Sequence, residues 1–276
     1  MNFLFTINNK YIQPIKLLIY SIEKNNPNSN KSYYFIYNNI SDDNQVIISN
    51  YVERFNSKVY FIPFKWDKTD LLHENGTWSR EIYYRLFAPY LLPNLDTILY
   101  LDGDTIVNDN LSNLFTESIR DNALAAVLND EETIHLNRLK NGLKHYYNSG
   151  VLLMNLSMIR KHFDFETMKQ MVLTLTKEYT FPDQDFINVV FKDKIFELPQ
   201  KYNYMINLTE RKASYHRLKN YSICHFVLQK PWDYEFPYLT DRKYLLYLYK
   251  SGCFGLATKL WFHHRKYRLS LKIKKR

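Results

Sequence analysis

Ile98-Leu99-Tyr100-Leu101-Asp102-Gly103-Asp104-Thr105-Ile106-Val107 holds the strongest signal in this chain. Residues 96–101 are an apolar, strand-forming run that ends at Asp102, and two carboxylates follow at once. On extended backbone, side chains two positions apart point the same way, so Asp102 and Asp104 share one side. Gly103 between them has no side chain and leaves room for close approach to the backbone. Two hard oxygen ligands on one side suit Mg²⁺ or Mn²⁺, ions that also bind diphosphates. Taken alone, such a pair is equally a loop with helix-capping or solvated aspartates. The apolar strand in front of it favours a site, because open α/β sheets bind ligands beyond the carboxyl ends of their strands.

Outward from this stretch, apolar β-rich runs alternate with helical patterns. Strands are predicted over residues 1–7, 31–38, 58–64 and 96–101. A helix is predicted over 14–24, with Ile15, Leu18, Ile19 and Ile22 on one face. A second starts at Ser41-Asp42-Asp43 and runs to 55, and a third covers 79–91 and is closed by Pro93. Further on come a strand at 123–128, a polar loop-helix stretch at 130–146, a strand at 150–155 and a helix from Ser157. A helix at 182–191, a short strand at 195–198 and a helix at 239–249 complete the pattern. This alternation predicts an α/β fold with a mostly parallel sheet and helices on both faces. One domain over 1–250 and a small basic appendage over 251–276 are expected.

With 276 residues, 46% of them hydrophobic, the chain is long enough to bury one large core. No apolar run reaches about 18 residues, so no transmembrane span is expected. Met1-Asn2-Phe3-Leu4-Phe5-Thr6-Ile7-Asn8 lacks a basic region and reads as a first strand rather than a signal peptide. Two cysteines, Cys224 and Cys253, fit a reducing cytoplasm without a structural disulfide. The 24 tyrosines read mostly as compositional background. Of the net charge of +9, seven bases belong to the C-terminal tail: Arg265, Lys266, Arg268, Lys272, Lys274, Lys275 and Arg276. The body is therefore nearly balanced and is not a general nucleic-acid binder.

Three more motifs follow the acidic pair. In Tyr147-Asn148-Ser149-Gly150-Val151-Leu152-Leu153-Met154-Asn155, a small polar turn opens an apolar strand, and Asn148 and Ser149 can bond hydroxyls. In Phe181-Pro182-Asp183-Gln184-Asp185-Phe186-Ile187-Asn188, Asp183 fits a helix N-cap. In Cys224-His225-Phe226-Val227-Leu228-Gln229-Lys230-Pro231-Trp232, a histidine ends a short apolar run and a lysine follows five residues on. Each alone has an ordinary structural explanation: a turn, a cap, a packed core histidine.

In this order the four elements resemble glycosyltransferase family 8, over roughly residues 1–234. This is the family of the bacterial lipooligosaccharide galactosyl- and glucosyltransferases and of glycogenin. The resemblance implies a Rossmann-like nucleotide-binding domain of the type called GT-A. It implies that Asp102, Asp104 and His225 hold Mn²⁺ (or Mg²⁺), which bridges the phosphates of a UDP-hexose donor. Thr6, Asn8 and Tyr11 fall at the uridine position, with Tyr11 stacking on uracil and Asn8 bonding the base. Arg85 matches the arginine that contacts donor sugar and phosphate. Gly103 belongs to the nucleotide-sugar set. Asn148, Ser149, Asp183 and Gln184 fall around the hexose, and Lys230 matches the lysine that grips the diphosphate. Two departures stand out: Asn8 replaces a frequent Asp, and the His225-to-Lys230 stretch is one residue short, with Leu228 where Gly is usual.

The family retains anomeric configuration. Glycosidases do so with a carboxylate nucleophile. Here the residue nearest the reacting face by resemblance is Gln184, a poor nucleophile, so a front-face displacement assisted by the departing phosphate is expected, with Asp185 as the fallback nucleophile. The acceptor is expected to be a glycan or a lipid-linked saccharide. The basic, aromatic tail fits an anionic membrane surface, each base near the lipid contributing about 1 kcal/mol, and so a cytoplasmic protein on the inner face of the cell membrane. Asp102-Gly103-Asp104-Thr105-Ile106 is also similar to the first motif of the haloacid-dehalogenase-type phosphatases, with Asp102 as nucleophile. That family carries the motif near the start of the chain and needs a late acidic pair, and neither feature is found here. A non-catalytic UDP-sugar-binding protein is the remaining alternative.

Overall fold

The computed structural model describes residues 1–72, 79–116, 119, 121–129, 135, 138–206, 220–227, 230–232 and 241–273. The strands described are β1 (Asn2–Thr6), β2 (Ser32–Tyr37), β3 (Lys58–Pro63), β4 (Thr97–Leu101), β5 (Thr105–Val107), β6 (Leu124–Leu128), β7 (Tyr147–Asn155), β8 (Ile195–Leu198), β9 (Tyr204–Met205) and β10 (Ile223–His225). The chain divides into two compact units. The larger comprises Met1–Asn9, Ser29–Asp102 and Ser112–Gln200, the smaller Lys10–Asn28, Gly103–Leu111 and Lys201–Arg276.

The larger unit is built on a seven-stranded sheet in the order β3-β2-β1-β4-β7-β6-β8. Strands β3, β2, β1 and β4 are parallel, β7 is antiparallel to β4 and β6, and β8 is parallel to β6. The mostly parallel α/β sheet predicted from the alternation of elements is thus the one found. Central strands are buried on both faces, which is why Ile98, Leu99, Tyr100 and Leu101 all lie in the core and read as one apolar run. Phe5, Phe35 and Phe61 are register partners across β1, β2 and β3; the Phe5 and Phe35 rings meet at a tilt with centroids 5.1 Å apart, and the Phe35 and Phe61 rings stack at 5.3 Å. Such cross-strand aromatic pairs are the stabilising unit of a sheet face. The chain reverses its order at β1 and β4, and Thr6 and Asp102 stand at the carboxyl ends of these neighbours.

Two sequence expectations change here. The predicted helix over 79–91 is broken into Glu81–Tyr84, a 3₁₀ turn Arg85–Phe87, and Ala88–Leu91. Pro89 is the cause: it has no N–H to give to the carbonyl of Arg85 and its ring crowds that carbonyl. The Ala88 N–H takes the carbonyl instead, one residue early. Asn148 and Ser149, expected as a turn ahead of a strand at 150–155, lie inside the nine-residue β7. Asn148 accepts from the N–H of Gly150 at 2.9 Å, so a turn-like local bond is present within extended backbone, beside an irregularity in the β6–β7 register.

The smaller unit holds the sheet β5-β10-β9. The helix Ile12–Asn25 is tied to β5: Ser21 accepts from the N–H of Val107 at 3.0 Å, and Asn25 donates to its carbonyl at 3.0 Å. Asp241–Lys250 and Phe254–Ile273 are helices, and Tyr244, Leu248, Cys253, Ala257 and Leu260 are buried with Tyr204 and Phe226. The expected boundary at residue 250 coincides with neither unit. Both cysteines are buried thiols that form no disulfide. No helix among the described residues is long and apolar enough to cross a membrane. Much of the stretch 130–146, and Leu228 with Gln229, lie outside the described residues.

Candidate active site

In the larger unit the 3₁₀ turn places Arg85 in the interior, 3% exposed. Its Nε donates to the carbonyl of Ile82 at 2.9 Å and its Nη1 to the carbonyl of Ser149 at 2.7 Å. Nη2 lies 3.1 Å from Asp102 Oδ1, and Nη1 lies 3.4 Å from Asp183 Oδ2. The guanidinium sits 4.0 Å above the Tyr100 ring. Burial opposes the charge, but Tyr100, Asp102 and Asp183 around it raise its pKa above the ordinary value. Arg85 is therefore a fixed cation with bonds in several directions.

Tyr100 carries no role in the sequence reading, although it stands two residues before Asp102 and so shares its side of the strand. Its hydroxyl donates to Asp102 Oδ1 at 2.5 Å and lies 3.3 Å from Thr6 Oγ1. Burial pushes its pKa well above the usual range, Arg85 opposes this and Asp102 adds to it, so the hydroxyl keeps its proton.

Asp183 was expected as an N-cap. It lies instead in the first turn of the helix Pro182–Val190, whose N-cap is Phe181. Asp185 is the residue that reaches back, accepting from the Phe181 N–H at 3.0 Å. The Asp183 carboxylate turns to Arg85, and its buried Oδ2 makes no hydrogen bond. Burial raises its pKa, Arg85 pulls the other way and Asp102 adds to the rise. Gln184 Oε1 accepts from Asn148 Nδ2 at 3.0 Å and from the Ser149 N–H at 3.1 Å, which brings Asn148, Ser149 and Gln184 together.

In the smaller unit, β10 runs antiparallel to β5 with His225 opposite Thr105, and the Phe226 N–H bonds the Asp104 carbonyl. This register sets His225 Nε2 3.3 Å from Asp104 Oδ1. Asn203, wholly buried, accepts from His225 Nδ1 at 3.1 Å and fixes which nitrogen faces the carboxylate. Lys230 donates to Asp104 Oδ2. Burial alone would raise the Asp104 pKa, but Lys230 and His225 hold it well below the usual carboxylate range. Gly103 faces the Tyr11 ring: a Cβ there would meet Tyr11 Cδ1 at 2.7 Å. Tyr11 in turn stands edge-on to Trp232, ring centroids 5.8 Å apart. Asn8 is half-buried.

Asp102, Asp104 and His225 each offer one ligand atom, and the three atoms lie within 4.8 Å of one another. The donor set fits a divalent ion of the Mg²⁺–Mn²⁺ class: two carboxylate oxygens and an imidazole whose other nitrogen is anchored by a buried amide.

A sheet of this order, with acids at the carboxyl end of a central strand, defines the class of open α/β proteins whose ligands bind beyond the strand ends where the strand order reverses. The glycosyl transferase family 8 model matches residues 2–235, and the chain belongs to that family. It is similar to lipopolysaccharide 1,2-glucosyltransferase of Escherichia coli K12, 30% identical over 251 residues that cover 84% of this chain and 72% of the relative. It is 24% identical to the lipopolysaccharide glucosyltransferase WaaO of the same strain, over 82% of this chain and 71% of the relative. Among solved structures, the galactosyltransferase LgtC, in complex with donor and acceptor sugar analogs, superposes with a TM-score of 0.77 at 22% identity, over 91% of this chain and 96% of that one. The fold is therefore GT-A. The chain is a glycosyltransferase, and the phosphatase reading of Asp102 is set aside.

Proposed function

We propose that this chain is a retaining, metal-dependent hexosyltransferase that moves galactose or glucose from a UDP-sugar to a saccharide acceptor. The observation that carries the proposal is the set Asp102, Asp104 and His225, with ligand atoms within 4.8 Å of one another. A divalent ion bound there supplies Lewis-acid stabilisation of the diphosphate leaving group. Lys230, already on Asp104, adds a second positive charge to receive the diphosphate. Thr6, Asn8 and Tyr11 take the uridine, and Arg85 orients the sugar end. Asp183 Oδ2, ion-paired to Arg85 but taking no hydrogen bond, is an acceptor suited to a hexose hydroxyl. The names of the relatives favour a lipopolysaccharide or related glycan as acceptor.

Retention proceeds on the front face, with the departing phosphate taking the proton of the acceptor hydroxyl. The surroundings of Asp185 support this route over a covalent one: the residue is wholly buried, with Oδ1 held by Tyr146 and Oδ2 by the Phe181 N–H. Peripheral membrane attachment on the cytoplasmic face is part of the same proposal. Phe254, Trp261, Phe262 and Leu269 are exposed on the last helix, beside Lys259, Arg265 and Lys266. On the same helix Ala257 and Leu260 are buried. This apolar, basic outer face suits anionic lipid.

Thermal-shift titration with UDP-glucose and UDP-galactose in Mn²⁺, followed by transfer assays, tests the function. Stabilisation by a UDP-hexose that vanishes with chelator is expected. Stabilisation that survives chelation removes the metal from the proposal. Binding without turnover leaves a UDP-sugar-binding protein.

A further inference from the structure

Gln184 is flanked by a residue with no part in the family motifs. Tyr146 immediately precedes β7 and is wholly buried. Its hydroxyl donates to Asp185 Oδ1 at 2.5 Å, and Gln184 Nε2 lies 3.3 Å from the same hydroxyl oxygen. At the other end of the amide, Gln184 Oε1 accepts from Asn148 Nδ2 and from the Ser149 N–H. The helix carrying Gln184 is itself clamped to β7. Asn188 donates to the carbonyls of Tyr147 and Gln184, both at 2.8 Å, and accepts from the Tyr147 N–H at 2.7 Å.

The direction of these bonds is forced. A backbone N–H only donates and a carboxylate only accepts, while a tyrosine hydroxyl has one proton. That proton goes to Asp185, so the Tyr146 oxygen is left to accept from Gln184 Nε2. The Ser149 N–H demands the amide oxygen at the opposite end. Both ends therefore select the same one of the two amide orientations. With Oε1 doubly occupied, the amide oxygen is committed to the protein, and the second Nε2 proton is the group Gln184 has left to offer a ligand.

We propose that Tyr146, oriented by Asp185, is a positioning residue that fixes the Gln184 amide as a hydrogen-bond donor toward the hexose. Asp185 is then the anchor of this relay. The inference rests on the proposed placement of Gln184 at the sugar.

The test uses the full chain with Mn²⁺ and the UDP-hexose that it turns over. Tyr146→Phe is expected to lower kcat for transfer by about tenfold or more. The donor KM and the affinity for UDP stay close to wild type. Gln184→Ala loses activity as well, and the double variant is no worse than Gln184→Ala. Losses that multiply, or a Tyr146→Phe enzyme with wild-type kcat, overturn the relay. Asp185→Asn, which lets the tyrosine proton turn round, is expected to reproduce the kcat loss and serves if Tyr146→Phe does not fold. A wild-type protein inert with every UDP-hexose sinks the functional proposal and leaves the relay open to a direct reading. In spectra of protein labelled with ¹⁵N at glutamine side chains, the Gln184 signal, identified by its loss in Gln184→Ala, must move in Tyr146→Phe. A signal that stays put refutes the relay whatever the activity.

Discussion

Asp102 and Asp104 stand two residues apart in one motif and meet different chemistry. Asp102 caps the large sheet, is partly exposed, and has Oδ1 taken by Tyr100 and Arg85. Asp104 is 4% exposed and lies between an imidazole and an ammonium supplied by the strand and loop around residue 225. The first aspartate is held by a cation that also binds a sheet carbonyl and a second acid, Asp183. The second is held by groups that are themselves candidates to meet a metal and a diphosphate. One acid is thus tied to the large sheet through Tyr100 and Arg85, and the other to the imidazole and ammonium beside β10.

The contrast is broken most severely at Asp104. Asp104→Ala is expected to cut transfer by about a thousandfold and to abolish Mn²⁺-dependent UDP binding, with the fold retained. An Asp104→Ala protein that still binds UDP only with Mn²⁺ places the metal elsewhere. Arg85→Ala comes next, and its main effect is on stability. It leaves Asp102 and Asp183 facing each other without their shared cation, and urea unfolding should show a loss of about 3–5 kcal/mol. A loss under about 1 kcal/mol shows that Arg85 serves ligands alone. The sequence gives Arg85 a role toward the donor only; its burial and four protein partners give it this second one.

The acid limb sharpens the comparison. The Asp104 pKa is depressed in the folded state by Lys230 and His225. Its contribution is therefore present above the ordinary carboxylate pKa and is lost as pH falls through the lower, folded value. The stability gap between wild type and Asp104→Asn should be steady near neutrality and close under strongly acidic conditions. A gap that widens with acid reverses the assignment. Tyr100→Phe ranks lower. Removing a bond to a carboxylate should cost roughly 1.5 kcal/mol and weaken Mn²⁺-dependent UDP binding, because Asp102 loses a restraint on its Oδ1.

The parallel half of the large sheet was legible because its strands are five or six residues long and apolar runs reveal them: β1, β2, β3 and β4 lie within a residue or two of their predicted places. The small sheet was not. Strands β9 and β10 are two and three residues long, too short to carry a period, and the pairing of β10 with β5 spans more than a hundred positions. Motif order could name His225, but only the register explains why it faces Asp104. Asn203 has no local signature at all, since its role exists only where His225 meets it. Tyr100 did have one: it shares a strand face with Asp102. Reading the tyrosines as background hid it, along with Tyr146. Tyr33, Tyr83, Tyr84, Tyr100, Tyr146 and Tyr244 are among the largest fully buried side chains, so these tyrosines are core material, and the hydroxyls of two of them, Tyr100 and Tyr146, bond residues of the candidate site.

The smallest expected effect tests the residue between the two acids. Gly103 does not need glycine for its backbone, since it is not among the glycines at positive φ. It needs glycine for space, because the Tyr11 ring fills the position of a side chain. Gly103→Ala should push that ring aside, costing about 1 kcal/mol of stability as a mild overpacking and weakening UDP binding through Tyr11. Tyr11→Ala removes the clash but also the ring, so the two changes should couple: added to Tyr11→Ala, Gly103→Ala should cost almost nothing further. Strictly additive losses in UDP affinity and stability would mean that the glycine serves the backbone of the two aspartates directly. The space beside it would then have been kept for a ligand, as the sequence first implied, rather than for the ring.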